Sequence, residues 1–251
     1  MAFIRDEQSR HGVIEALPRT TAGRPIGIIA IRLDYPKLPG NVVNASTYGY
    51  PVLYEEVVFE IEQLFDGDPA LEDAVVEAAR KLEAAGAAAI VGACGFFAHF
   101  QPAVADAVNV PVFLSSLTQL PLVEMGLKRD QKVLVFAADG SSVNAELLSR
   151  VGALPDRIIV QNVGDREAFA PIRWGKTALD NGALIDDLVA LAQAQVADHP
   201  EIGAILLECS DLPPYAADIH DATGLPVFDF ITLIDWVHHA VVQRRYYGPA
   251  E

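Results

Sequence analysis

The chain has 251 residues, 51% hydrophobic and 21% charged, a composition that lets a sizeable core form in one large domain or two small lobes. Its 34 acidic side chains against 18 basic ones leave a formal net charge of −16, which argues against nucleic acid and anionic membranes as partners. No run of about 18 apolar residues could span a membrane, and the opening MAFIRDEQSRHG lacks an apolar signal core, so the expected compartment is the cytoplasm, with both cysteines reduced.

Residues 1–24 are polar and irregular and are expected to form a surface arm. A first strand is expected over 26–31. The prolines and glycine of Arg32 to Asn41 then impose a long loop that runs to Pro51. Its tyrosines favour an ordered loop lying over the strand ends. Residues 51–64 read as a strand followed by a turn. Asp68-Pro69 is a helix start, with a carboxylate cap and proline at the first helical position. That helix is expected to reach Ala85 with Leu71, Ala74, Val75, Ala78, Ala79 and Leu82 on one face, and Gly86 ends it.

The stretch from Ala87 to Phe96, AAAIVGACGF, reads as a buried strand entering a tight turn at Cys94. A helix over 102–108 and a strand over 110–114 follow. Ser116 or Thr118 is expected to cap a helix ending near Gly126. A strand begins at Gln131 and ends in the polar turn Ala138-Asp139-Gly140-Ser141-Ser142, which opens another helix. Further on come a short strand over 158–163 and a helix over 184–197 that His199-Pro200 stops. A second apolar run, IGAILLECSD, then ends at Cys209. A helix over 215–222, a strand over 227–230 and a helix over 232–245 complete the chain, which is expected to fray beyond Gly248.

The two cysteines occupy matching places. Each ends an apolar run, and each is followed 17 residues later by Pro-Val-Phe, at Pro111 and Pro226. Each is preceded by a strand-like run, at 25–31 and 131–137. The duplication predicts an α/β fold of two pseudo-symmetric lobes, each a mostly parallel sheet flanked by helices, with the active site in the cleft between them. The expected division is an arm over 1–24, a first lobe over 25–117 joined by a C-terminal helix at 231–251, and a second lobe over 118–230.

Ligands of open parallel sheets bind at the carboxyl ends of the strands, where both thiols fall. Two thiols facing one cleft suit removal of a proton from one face of a carbon and its return on the other. One cysteine must be thiolate and the other thiol for a given direction. Backbone N–H groups after each cysteine would hold a carboxylate and steady enolate charge. His99 lies five residues from Cys94 and His220 eleven from Cys209, and neither spacing matches a zinc pattern, so no metal is expected. Asp211 reads as a cap, Trp174 as packing, Arg32 as a partner of surface acids, and Glu55-Glu56 as a solvated face.

With Gly-Ala-Cys94-Gly, Glu208-Cys209-Ser210-Asp211, the two Pro-Val-Phe strands and the Asp139 to Ser142 turn, the sequence resembles the aspartate/glutamate/hydantoin racemase superfamily, which works without pyridoxal phosphate. The resemblance covers about residues 25–240 and extends to Arg32-Leu33-Asp34 and the loop beyond it. It implies a cofactor-independent amino-acid racemase or epimerase of aspartate/glutamate type. Cys94 and Cys209 would be its acid/base pair. Asp34, Gly95, Phe96, Thr118, Asp139, Ser141, Ser142 and Ser210 would serve a small carboxylate substrate, and the chain would pair as a homodimer. Two departures stand out. Gly95-Phe96 replaces the polar pair that many members carry after the first cysteine, and Glu208 replaces the glycine that commonly precedes the second. Phe96 and Phe97 are candidates for an apolar wall or for core. One-cysteine relatives decarboxylate malonates, a reading that two cysteines argue against. A maleate-type cis-trans isomerase and a non-catalytic carboxylate-binding protein remain as alternatives.

Overall fold

The computed structural model describes residues 22–246 together with His11, Gly248 and Pro249, so most of the arm expected over 1–24 and part of the expected frayed end lie outside the described residues. In chain order the elements are β1 (Ile26–Ile31), β2 (Val52–Val57), α1 (Ile61–Phe65), α2 (Glu72–Ala85), β3 (Ala89–Gly92), α3 (Gln101–Ala107), β4 (Val112–Phe113), α4 (Leu120–Gly126), β5 (Lys132–Ala137), α5 (Ala145–Arg150), β6 (Ile158–Asn162), α6 (Ala170–Arg173), α7 (Asn181–Asp198), β7 (Ile202–Leu207), α8 (Ala216–Thr223), β8 (Val227–Phe228) and α9 (Phe230–Val241).

The strands form two four-stranded sheets of the same order, β2-β1-β3-β4 and β6-β5-β7-β8, and every pairing is parallel. The inner strands are continuous apolar runs because helices cover both faces; β3 and β7 are buried along their whole length. Edge strand β2 is less buried, with Tyr54 and Glu56 exposed and Glu55 half-buried. In each sheet the strand order reverses beside the first strand, between β1 and β3 and between β5 and β7. A crevice for a ligand opens at such a point.

Helix α2 follows its expected start and stop. Asp68 accepts from the Ala70 N–H, and Gly86 takes a left-handed φ of 104° at the C-terminus. Leu71, Val75, Ala78, Ala79 and Leu82 are buried, but Ala74 is exposed. Two short helices escape the sequence pattern. Helix α1 has five residues and a Glu60–Gln63 capping box, and α6 has four. Both are too short to show helical periodicity. Ser115, one residue before the expected cap, accepts from Leu117 N–H at 3.1 Å. The last helix starts earlier than expected because Asp229 and Thr232 form a capping box.

Helix α9 returns to the first sheet. Its Phe230, Leu233, Ile234 and Val237 share one apolar cluster with Ile26, Ile28, Ala89 and Val91. Burial of each of these side chains larger than Ala89 is worth roughly 1.5–3 kcal/mol. A second cluster runs through both lobes and includes Cys94 and Cys209. Among the described residues no helix is long and apolar enough to cross a membrane.

Candidate active site

The residue before each cysteine is pinned at the same place in its sheet. Ala93 N–H donates to Ile29 O, and Glu208 N–H donates to Phe136 O, both at 2.9 Å. Each chain then turns at the carboxyl end of an inner strand, and Cys94 and Cys209 line one cavity. Ile31, Leu33, Tyr35, Phe65, Ala138, Phe169, Arg173, Ser210 and Asp211 also line it. The cavity leaves about 40 Å³ for the centres of water-sized molecules, roughly three times what a single water requires.

The loop after β1 closes one side and ties the lobes together. Its Val42 N–H donates to Ser210 O at 3.3 Å, and Tyr48 OH donates to Val42 O at 2.8 Å. Ser210 Oγ reaches back to Ala93 O at 2.8 Å, linking one thiol turn to the other. Tyr35 OH and Asn41 Nδ2, both from the loop, donate to Asp211 Oδ1. Cys209 Sγ donates to Asp211 Oδ2 at 3.4 Å. Asp211 is therefore not the cap read from the sequence; it is a buried acceptor that orients the second thiol.

Arg173 is the sole cation among the described residues lining the cavity. Its guanidinium sits 4.5 Å over the rings of Phe65 and Trp174, and its Nη1 lies 3.2 Å from Glu62 Oε1. The Arg173 side chain is only 12% exposed and that of Glu62 is 54% exposed, so the pairing is loose enough to yield to a ligand. Trp174, expected to pack, is 61% exposed.

Burial is the largest influence on both thiols and pushes each well up from its ordinary range. At Cys94 the Glu208 carboxyl adds to the rise, while the Phe96 N–H and Arg173 oppose it. At Cys209 the Asp211 and Glu208 carboxyls add to the rise, and only the Asp211 N–H opposes it among the larger influences. Asp211 itself is raised by burial and held back by the bonds from Tyr35, Cys209 and Asn41. Burial lifts Glu208 to about 8. The resting site is thus a pair of thiols, and a cation entering beside them would favour a thiolate.

Of the residues proposed from sequence, the fold brings together Cys94, Cys209 and Ser210. Gly95 lies behind Cys94, against Glu208. Phe96 is core, its ring 4.5 Å from that of Phe65, and Phe97 is also fully buried. Asp34 is exposed and does not line the cavity. Thr118 donates to Ser115 O at 2.7 Å, and Ser141 donates to Asp139 at 2.6 Å on an exposed turn. Neither they nor Ser142 line the cavity. The sequence reading passed over Tyr35, Asn41, Phe169 and Arg173. Tyr35 and Asn41 carried a signal, since the tyrosine-bearing loop was expected over the strand ends. Phe169 and Arg173 sit in and beside a four-residue helix and carried none.

No protein-family model matches the chain. The sequence is 35% identical over 235 residues to dimethylsulfoniopropionate lyase 3 of Emiliania huxleyi, covering 89% of this chain and 61% of that one. It is 32% identical over 232 residues to the dimethylsulfoniopropionate lyase of Durusdinium sp. clade D, covering 89% of this chain and 77% of that one. The chain therefore spans about three fifths of the length of the first of these relatives. In fold it is similar to unliganded arylmalonate decarboxylase, with a TM-score of 0.57 and 18% identity over 91% of this chain and 97% of the other. It is similar likewise to allantoin racemase from Pseudomonas fluorescens, with a TM-score of 0.55 and 17% identity over 86% and 91% of the two chains.

Proposed function

Because this chain belongs to the dimethylsulfoniopropionate lyase family, on the fold of the aspartate/glutamate/hydantoin racemase superfamily, we propose that it is a carbon–sulfur lyase acting on small sulfonio-carboxylates, dimethylsulfoniopropionate first among them. The observation that carries this reading is the 32% identity extending over 77% of the Durusdinium relative.

The cavity supports the chemistry. A thiolate at Cys94 takes the proton from the carbon next to the carboxylate. The freed electron pair forms the double bond to the neighbouring carbon. The bond from that carbon to sulfur breaks, and its pair goes to sulfur. Neutral dimethyl sulfide and acrylate leave, and the thiol returns its proton to water. The step is a β-elimination with no net electron transfer.

Arg173 takes the carboxylate at the Cys94 side. The rings of Tyr35 and Phe169, with the Asp211 carboxylate, receive the sulfonium. The arriving cation offsets the burial and the Asp211 carboxylate that hold the thiols protonated, so substrate binding itself produces the base. The small cavity requires the loop after β1 or the lobes to part for entry, and reclosure keeps water from the carbanion.

A second reading keeps a specific observation. Both thiols stand at equivalent ladder positions and line the same cavity, the arrangement a two-base racemase or epimerase needs. The test is proton NMR in heavy water combined with gas chromatography. With dimethylsulfoniopropionate, equal amounts of dimethyl sulfide and acrylate are expected, and Cys94→Ala abolishes both. Absence of dimethyl sulfide, together with cysteine-dependent deuterium uptake at the α-carbon of a chiral amino acid or hydantoin, would overturn the lyase in favour of the racemase.

A further inference from the structure

One buried acid takes no part in that scheme. Glu208 closes β7, is fully buried and does not line the cavity. Its Oε2 accepts from Ala138 N–H at 3.0 Å, within the second lobe. Its Oε1 crosses to the first lobe and lies against Gly95 without a well-formed hydrogen bond. A Cβ on residue 95 would stand 2.0 Å from that oxygen. Only glycine leaves room, although the backbone there needs no left-handed φ. The two departures from the superfamily motifs therefore meet in space.

The groups facing this carboxyl are Asp211 and Asp139 from its own lobe, Cys209 beside it, and Cys94 from the first lobe. The Ala138 and Gly95 amides draw it the other way. Cys94 in turn faces Glu208, Asp211 and Arg173, with the Cys209 thiol nearby.

We propose that Glu208 is a positioning residue for Cys94: from the second lobe its carboxyl fills the space left by Gly95 and sets the charge that the first thiol faces. While the carboxyl keeps its proton, Cys94 meets a neutral neighbour and thiolate formation is unhindered by it. When the carboxyl ionises, near pH 8, an anion stands behind the sulfur and thiolate formation is opposed. The two groups then titrate as a coupled pair. The inference rests on reading Cys94 as the reacting thiol, but its test reads that thiol directly and not turnover.

The test is the rate of Cys94 alkylation by iodoacetamide against pH, with Cys94 and Cys209 peptides separated by mass spectrometry. Alkylation follows the thiolate fraction, so an isolated thiol gains about tenfold in rate per pH unit below its pKa. In the wild-type protein that slope is expected to flatten above about pH 8, where the carboxyl ionises first. In Glu208→Gln the slope continues, so the variant matches wild type near pH 7 and is about tenfold faster near pH 9. A rate ratio that is the same at every pH would reduce Glu208 to packing and overturn the proposal. Should Glu208→Gln fail to fold, the wild-type curve decides alone: an unbroken slope through pH 8 overturns it.

Discussion

The two thiol turns occupy the same slot of the same sheet topology, yet their surroundings have opposite character. Cys94 is followed by a 3-10 turn from Gly95 to Phe100 that is apolar except for His99, and the cation that influences it is Arg173. Cys209 is followed by Ser210 and Asp211, and its sulfur donates to that carboxylate. Ala93 and Glu208 hold equivalent backbone bonds, but one presents a methyl group and the other a buried acid. A duplicated backbone places two sulfurs at matching strand ends, whereas the side chains around them make a cavity cationic at one end and anionic at the other. The carbon–sulfur lyase proposed above would use that polarity, with the substrate carboxylate at one end and its onium group at the other.

The largest expected effect tests this asymmetry at the sulfurs. Cys94→Ala should lower kcat/KM for dimethyl sulfide release on the order of 10²–10⁴-fold, the usual contribution of a general base. Cys209→Ala should lose less, because its sulfur lies beside the onium end. Equal losses, with circular dichroism unchanged in both, would restore the symmetric two-base picture. Next comes the cationic end. Arg173→Gln should raise KM by about tenfold or more through loss of a charged hydrogen bond, and Arg173→Lys should recover only part of it because the planar guanidinium stacks on Phe65.

At the anionic end, Asp211→Asn should lower kcat and reduce stability by roughly 1–3 kcal/mol, since the Tyr35, Asn41 and Cys209 donors lose a charged acceptor. Urea denaturation with a parallel rate measurement checks both. Glu208 supplies a pH signature. Its carboxyl is near 8 in the fold against an ordinary 4.5, so between those values the unfolded chain binds fewer protons than the native one. Stability from this group is therefore fully present below about pH 4.5 and falls as pH rises toward about 8, at about 1.4 kcal/mol per unit as an upper slope. The melting-temperature difference between Glu208→Gln and wild type should widen in the variant's favour across that window. A difference that stays level would show that the acid is unperturbed. The smallest effect belongs to the exposed turn: Ser141→Ala should leave stability within about 0.5 kcal/mol and activity unchanged. A clear loss of activity would extend the site beyond the cavity.

Much of the architecture was legible because it depends on short-range pattern. Continuous apolar runs marked β1, β3, β5 and β7, and Asp68-Pro69 and Gly86 bounded α2. The site was legible only where it coincided with those strand ends. Cys94, Cys209 and Ser210 could be found because each sits within a few residues of an apolar run. Phe169 and Arg173 come from a segment too short for periodicity, and nothing local distinguishes that arginine from one paired with a surface acid. Asp211 was misjudged because a carboxylate after a strand is a good cap in isolation. Its true partners lie 170 and 176 residues away in the chain.

The sequence by itself thus determined a duplicated parallel α/β chain with a thiol at each matching strand end, since burial periodicity and turn residues act over a few positions. Tertiary structure alone decided which charges face those thiols. Glu208 against Gly95, Asp211 beneath Tyr35 and Arg173 over Phe65 are contacts between distant segments. Electrostatics in a buried cavity follow distance and desolvation, and neither is written in spacing along the chain.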